Sequence, residues 1–112
     1  MAITVANVTT AGNSVYTSSG NTVVTYLSLC NYGNTDVNIN IYIVPNNGGV
    51  VGAASNNNIA IASLDLTANA TSAGDTYQFY VGNEKLILSN NDSVQVVANA
   101  NTITAITSFT SA

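Results

Sequence analysis

The stretch "VNINIYIVP", Val37 to Pro45, decides the fold. Apolar residues and Asn alternate through it, and a period of two marks a strand with one buried face. Val37, Ile39, Ile41 and Ile43 form the expected inner face, while Asp36, Asn38, Asn40 and Tyr42 point the other way. "PNNGG" (45–49) ends the strand, because Pro cannot donate to a ladder and Gly permits positive φ. The polar face is unusual. A soluble strand normally carries Lys, Glu or Arg there, and this one carries Asn.

The same alternation runs outward in both directions, punctuated by Gly, Asn and Ser clusters. "ITVANVT" (3–9) predicts a first strand or arm and "SVYTS" (14–18) a short second piece. "NTVVTYLSLCNY" (21–32) predicts a long central strand, with Val23, Thr25, Leu27 and Leu29 on one face and Val24, Tyr26, Ser28, Cys30 and Tyr32 on the other. In "IAIASLDL" (59–66) the apolar phase shifts between Ile61 and Leu64, which predicts a bulge or a break. "TYQFYVGNEKLIL" (76–88) predicts two strands around a tight turn at Gly82-Asn83. "SVQVVAN" and "TITAITSF" are the last two strands, joined around Asn99 to Asn101. No segment has a helical period and no internal repeat appears. The expectation is an all-β chain: a single β-sandwich over residues 1–112, Ig-like or jelly-roll-like, of seven to nine short, mostly antiparallel strands. Residues 1–10 are expected as an extended arm or an edge strand.

Composition narrows the partners. A chain of 112 residues has room for one domain. Charged residues make up 5%, against roughly 25% in an average globular protein. Their place is taken by 18 Asn, 14 Thr and 11 Ser. Because 46% of residues are hydrophobic, the chain is expected to fold. Lys85 is its single basic residue, with no Arg and no His. Phosphate backbones and anionic lipids are held by basic side chains, so no nucleic acid and no membrane are expected as partners. No apolar run approaches the roughly 20 residues of a spanning helix.

Candidate chemistry is sparse. Asp36, Asp65, Asp75, Glu84 and Asp92 sit singly at turns or strand ends, where acids cap or start turns, rather than as a carboxylate pair. Without His there is no Ser-His-Asp triad. Cys30 has no second Cys to pair with and is expected as a small buried hydrophobe. "NNDS" and "PNNGG" lack the ligand spacing of a calcium loop. The chain is therefore expected not to be an enzyme and to take no cofactor or metal. Sequons occur at Asn7, Asn69 and Asn91, as chance matches in so Asn-, Ser- and Thr-rich a chain. Tyr16, Tyr26, Tyr32, Tyr42, Tyr77 and Tyr80 could instead stack on sugars, the basis of an alternative reading as a glycan-binding module; strand preference is the plainer account of them.

The opening "MAITVANVTT" has no basic n-region, no continuous apolar stretch and no cleavage pattern. The expectation is a chain made in the host cytoplasm without a signal peptide. Its uncharged surface is unlike that of a cytoplasmic enzyme, and a virion protein, assembled inside and used outside, reconciles the two. Uncharged polar faces also suit assembly, because no ion is desolvated at the contact.

The order of elements resembles small β-sandwich structural proteins of tailed bacteriophages, including many from marine and cyanobacterial hosts. The stretches that carry the resemblance are "VYTSSGNTVVTYLSLCNYGNTDVNINIYIVP", "IASLDLTANAT" and "GNEKLILSNNDSVQVVANANTITAITSF", roughly residues 15–110. A departure is Asn91 before Asp92, where Gly-Asp is common in such proteins; it bears on turn geometry alone. The resemblance brings no catalytic residues. It implies a virion building block: a head decoration or cement protein, with a neck or tail accessory protein as the alternative. The expected partners are the major capsid protein or another virion protein, together with self-association. The expected contact residues are Ile3, Val5 and Val8 on an arm lying on a neighbour by strand addition, and Asn38, Asn40 and Tyr42 on the polar strand face.

Overall fold

A computed structural model describes residues 2–68, 76–79 and 86–111. Among these residues the chain forms nine strands and no helix. They are β1 (Ala2–Val8), β2 (Asn13–Thr17), β3 (Thr22–Asn31), β4 (Val37–Val44), β5 (Ile59–Leu66), β6 (Thr76–Phe79), β7 (Leu86–Leu88), β8 (Ser93–Ala98) and β9 (Ile103–Ser111). One antiparallel sheet has the order β1-β9-β3-β6, with β7 also on β3; the other has the order β2-β8-β4-β5.

β6 and β7 lie end to end along one edge of β3, opposite Leu27–Cys30 and Thr22–Val24. Taken as one interrupted strand, they give four strands to each sheet. The pairs β1–β9, β2–β8, β3–β6/β7 and β4–β5 then nest one inside the next. The chain is one long hairpin, its tip at residues 45–58, rolled so that successive strands mostly alternate between sheets. That is the jelly-roll arrangement, not the Ig-like one. β8 and β9, neighbours in sequence, accordingly sit in different sheets.

The core is what the alternation demands. Val37, Ile39 and Ile41 of β4 are buried, with Ile43 packed against them. They meet Leu27 and Leu29 of β3, Val94 and Val96 of β8 and Ile103 of β9 between the sheets. Each fully buried Leu or Ile contributes about 1.5–3 kcal/mol relative to exposure. Tyr16 and Phe109 pack across the gap with ring centroids 4.6 Å apart, and Tyr16 Oη donates to Thr22 Oγ1 at 2.9 Å. Asn31, fully buried, fills all four of its hydrogen-bonding positions. Its Nδ2 donates to the Thr35 and Leu66 carbonyls, and its Oδ1 accepts from Gly33 N and Thr102 Oγ1. It ties the end of β3 to the end of β5 and to the β8–β9 crossing.

One expectation changes, one is resolved between its alternatives and one lies outside what the structure describes. The inner face of β3 is Thr22 and Val24, then Leu27, Leu29 and Asn31, because a register shift between Val24 and Tyr26 advances the phase by one residue. The N-terminal segment is not a free arm: β1 pairs with β9 in unbroken register from Ala2↔Phe109 to Val8↔Ile103 and is an edge strand. The turn at Gly82-Asn83 lies outside the described residues, and the strands flanking it pair with β3. The bulge in β5 is present: Ile39 pairs with Leu64 and Ile41 with Ile61, so β5 carries the extra residue, and Ser63 has φ 57°.

Candidate functional site

In β1 the order of sizes is inverted. Its inward positions hold Ala2, Thr4, Ala6 and Val8, and its outward positions hold Ile3, Val5 and Asn7. Ile3 is 67% exposed and Val5 68%. Cross-strand register places Val5 beside Ile106, itself 37% exposed, and Ile106 beside Ser28. Ile87, 70% exposed, continues the same outer face beside Val23. None of the strand residues in this sheet is Asp, Glu, Lys, Arg or His. Among the described residues the result is a face with isolated large apolar groups set among Thr, Ser and Asn and no ion to desolvate. Cys30 lies on this face in register with Thr104, half-buried rather than in the core. Ile106 could have been found from "TITAITSF", where apolar residues fall on both phases of the alternation.

The outer face of the other sheet is built differently. Asn38 Nδ2 donates to Ser63 Oγ at 3.0 Å and to Asp65 Oδ1 at 2.8 Å. Asn40 Oδ1 accepts from Ser63 N at 2.7 Å. The two Asn side chains thus hold the β5 bulge, satisfying a backbone N–H that the ladder leaves over. This explains the choice of Asn: a short side chain that both donates and accepts reaches the neighbouring strand, and Lys or Glu would not.

Tyr42 points outward as expected but is buried, 9% exposed. Residues 45–58 fold back over this end of the sheet. Gln95, opposite Tyr42 in the register, donates to the Gly52 carbonyl at 2.9 Å, and Ile43 N donates to the Asn58 carbonyl. Gly52 lies so close to Val44 and to the Pro45 carbonyl that an added Cβ would stand 2.6 Å from that oxygen. The cover is pinned at its base by Asp92, whose Oδ1 accepts from Asn46 N and Asn46 Nδ2 and whose Oδ2 accepts from Ser89 N. Its slight burial pushes the carboxyl up, but the hydrogen bonds from Asn46 and Ser89 outweigh that and hold it below its ordinary value of 3.8.

The six expected contact residues therefore do not share one surface. Ile3 and Val5 lie on the charge-free face. Val8 is corrected to the core, where it is fully buried at the end of β1. Asn38 and Asn40 are half-exposed on the opposite side of the sandwich and committed to β5, and Tyr42 is corrected to a buried position under the 45–58 cover.

The described acids act as acceptors for their own fold: Asp36 takes Ala68 N, Asp65 takes Asn38, and Asp92 takes Asn46 and Ser89. Asp75 and Glu84 lie outside the described residues. Among the described residues no pocket forms, and no group of three or more His, Cys, Asp or Glu could hold a metal ion. Tyr16 and Tyr42 are buried, and the exposed Tyr32 commits its hydroxyl to Asn7 Oδ1 and the Asn101 carbonyl, so these rings do not assemble a sugar platform. The amides of Asn7 and Asn91 are likewise engaged, with the Asn101 and Gly49 carbonyls; Asn69 lies outside the described residues.

Fold and surface together define a small jelly-roll sandwich with one self-contained sheet face and one face that, among the described residues, is open and free of charge. No protein-family model matches the chain, and no curated protein matches it.

Proposed function

We propose that this chain is a structural building block of a phage particle, a decoration or cement protein bound to the outside of the head through the major capsid protein and its own copies. The observation that carries the reading is the outer face of the β1-β9-β3-β6/β7 sheet. It exposes Ile3, Val5, Ile106 and Ile87 on a surface with no charged strand residue. Burying such a face against a shell removes apolar area from water without stranding an ion. The jelly roll is an architecture that capsid proteins use, which supports the reading by analogy of fold alone. The resemblance of residues 15–110 to phage sandwich proteins points the same way.

The test is to purify particles from a lysate in which the chain is expressed and to measure its copy number against the major capsid protein by quantitative mass spectrometry. A number comparable with the capsid protein supports head decoration. A number matching a single vertex or ring moves the chain to the neck or tail. Absence from purified particles overturns the virion reading.

A further inference from the structure

The four sheet edges are not equally protected. Natural sandwiches guard edges with short strands, bulges, charge or Pro. β2 is five residues long, with its register broken between Ser14 and Tyr16. β5 is bulged, carries Ser63 at positive φ and bears Asp65. β6 and β7 are short pieces of four and three residues. β1 has none of these defences: seven residues in continuous register, without Pro, Gly, charge or bulge. Among the described residues, no other element hydrogen-bonds to the outward backbone groups of Ala2–Ala6; the nearest such bond, from Asn13 Nδ2, goes to the Asn7 carbonyl.

We propose that the β1 edge pairs antiparallel with the β1 edge of a second copy about a two-fold axis at Thr4, joining two four-stranded sheets into one continuous sheet of eight. Two independent observations choose a second copy as the occupant. The first is charge. A two-fold pairing sets the segment against itself, so any net charge it carried would repel its own copy; "AITVANV" has none. The second is Thr4. Its Oγ1 is buried with no hydrogen-bond partner. An axis at Thr4 sets its side chain beside that of its own symmetry mate, where a turn about χ1 out of the buried position brings the two hydroxyls to the spacing at which Thr–Thr pairs bond. The same axis sets Ile3 beside the mate's Val5 on the outer face. Together with Ile106 they form one apolar stripe across the junction. This deepens the self-association within the proposed function but does not depend on the shell: a chain absent from particles could still dimerise, and a chain present in them could be monomeric in solution.

The test is sedimentation equilibrium of the purified chain over a concentration series, with thermal melts as the folding control. The expected result is a monomer–dimer equilibrium that V5K weakens at least tenfold and that I87K, on the same face but away from β1, shifts less than about twofold. Both positions are exposed, so at concentrations where the chain is monomeric both variants melt like the parent. In a C30S background, T4C is expected to cross-link into a disulfide dimer on mild oxidation. A monomer at every concentration overturns the proposal. So does a dimer indifferent to V5K, a dimer weakened equally by I87K (which would mean face-to-face stacking), or a T4C variant that does not cross-link.

Discussion

β1 and β4 are written in the same alternating pattern and face opposite ways. "VNINIYIV" turns its large aliphatic residues into the core and its Asn outward, where they bind the neighbouring strand. "AITVANV" turns Ala, Thr and Ala inward and leaves Ile and Val in solvent. Alternation determines which residues share a face; it does not determine which face is inside. β4 is complete within its own chain. β1 leaves its larger hydrophobes on a surface that no other described residue covers.

The largest effect expected from this contrast is in stability. Ile39 is fully buried, and Ile39→Ala is expected to cost about 3–4 kcal/mol, a lost side chain plus the cavity it leaves. Val5→Ala, at the corresponding kind of position on β1, is expected to stay within about 0.5 kcal/mol for the monomer. Urea unfolding under monomeric conditions measures both, and similar losses at the two sites would break the comparison.

The same contrast shows what could be read from the sequence. The β4 core, the β5 bulge and the turn at "PNNGG" follow from local pattern, because each leaves a break in period or a residue with only one comfortable conformation. The phase of β3 did not, because Val23 and Val24 are both apolar and either could face inward. The bulge opposite Phe109 and Ser108 decides it, with Thr25 Oγ1 reaching Ser108 across the strands. The burial of Tyr42 depends on residues 45–58 folding back, and the jelly-roll order depends on β1 finding β9 at the far end of the chain. These are long-range pairings that no short window encodes. At the candidate surface the exposure of Ile3 and Val5 followed from the sequence, Val8 and Tyr42 were expected outside and are buried, and the exposed Ile106 and Ile87 were missed.

On the self-contained face, Asn40→Ala is expected to cost about 0.5–1 kcal/mol, because it exchanges the hydrogen bond that holds Ser63 N in the bulge for one to water. Ser63→Gly should relieve the positive φ and stabilise the chain by up to about 1 kcal/mol, provided Asn40 is intact. If Asn40→Ala proves neutral by the same unfolding assay, the Asn face is simply wet and its distinction from the β1 face disappears.

At the open edge the sign reverses. Thr107 faces Thr4 across β1–β9, is fully buried, and its Oγ1 has no partner. Thr107→Val keeps the shape and removes the unpaired hydroxyl, so a gain of about 1 kcal/mol is expected in thermal or urea unfolding. A loss would show that the hydroxyl is satisfied after all and that the β1–β9 interior is not under-bonded.

The smallest effect concerns acid, and it acts on the cover over Tyr42. The Asp92 carboxyl is held below its ordinary 3.8 by the Asn46 and Ser89 donors. A group whose folded-state pKa is depressed contributes stability in full above its unfolded value and loses it as pH falls through the folded one. The contribution is therefore expected to be constant from neutral pH down to about pH 5, and to fade below that as the folded carboxyl takes up its proton. Asp92 is only partly buried, so the loss is a local one, read by faster hydrogen exchange at Asn46 N and a change in tyrosine fluorescence before the core unfolds. D92N should exchange at Asn46 at an acid-like rate already at neutral pH and lose the pH dependence. Acid would then expose Tyr42 and Val44, making the covered face resemble the open one. If exchange at Asn46 has the same pH profile in both proteins, apart from its intrinsic dependence, the cover is held by Gln95 and Gly52 rather than by Asp92.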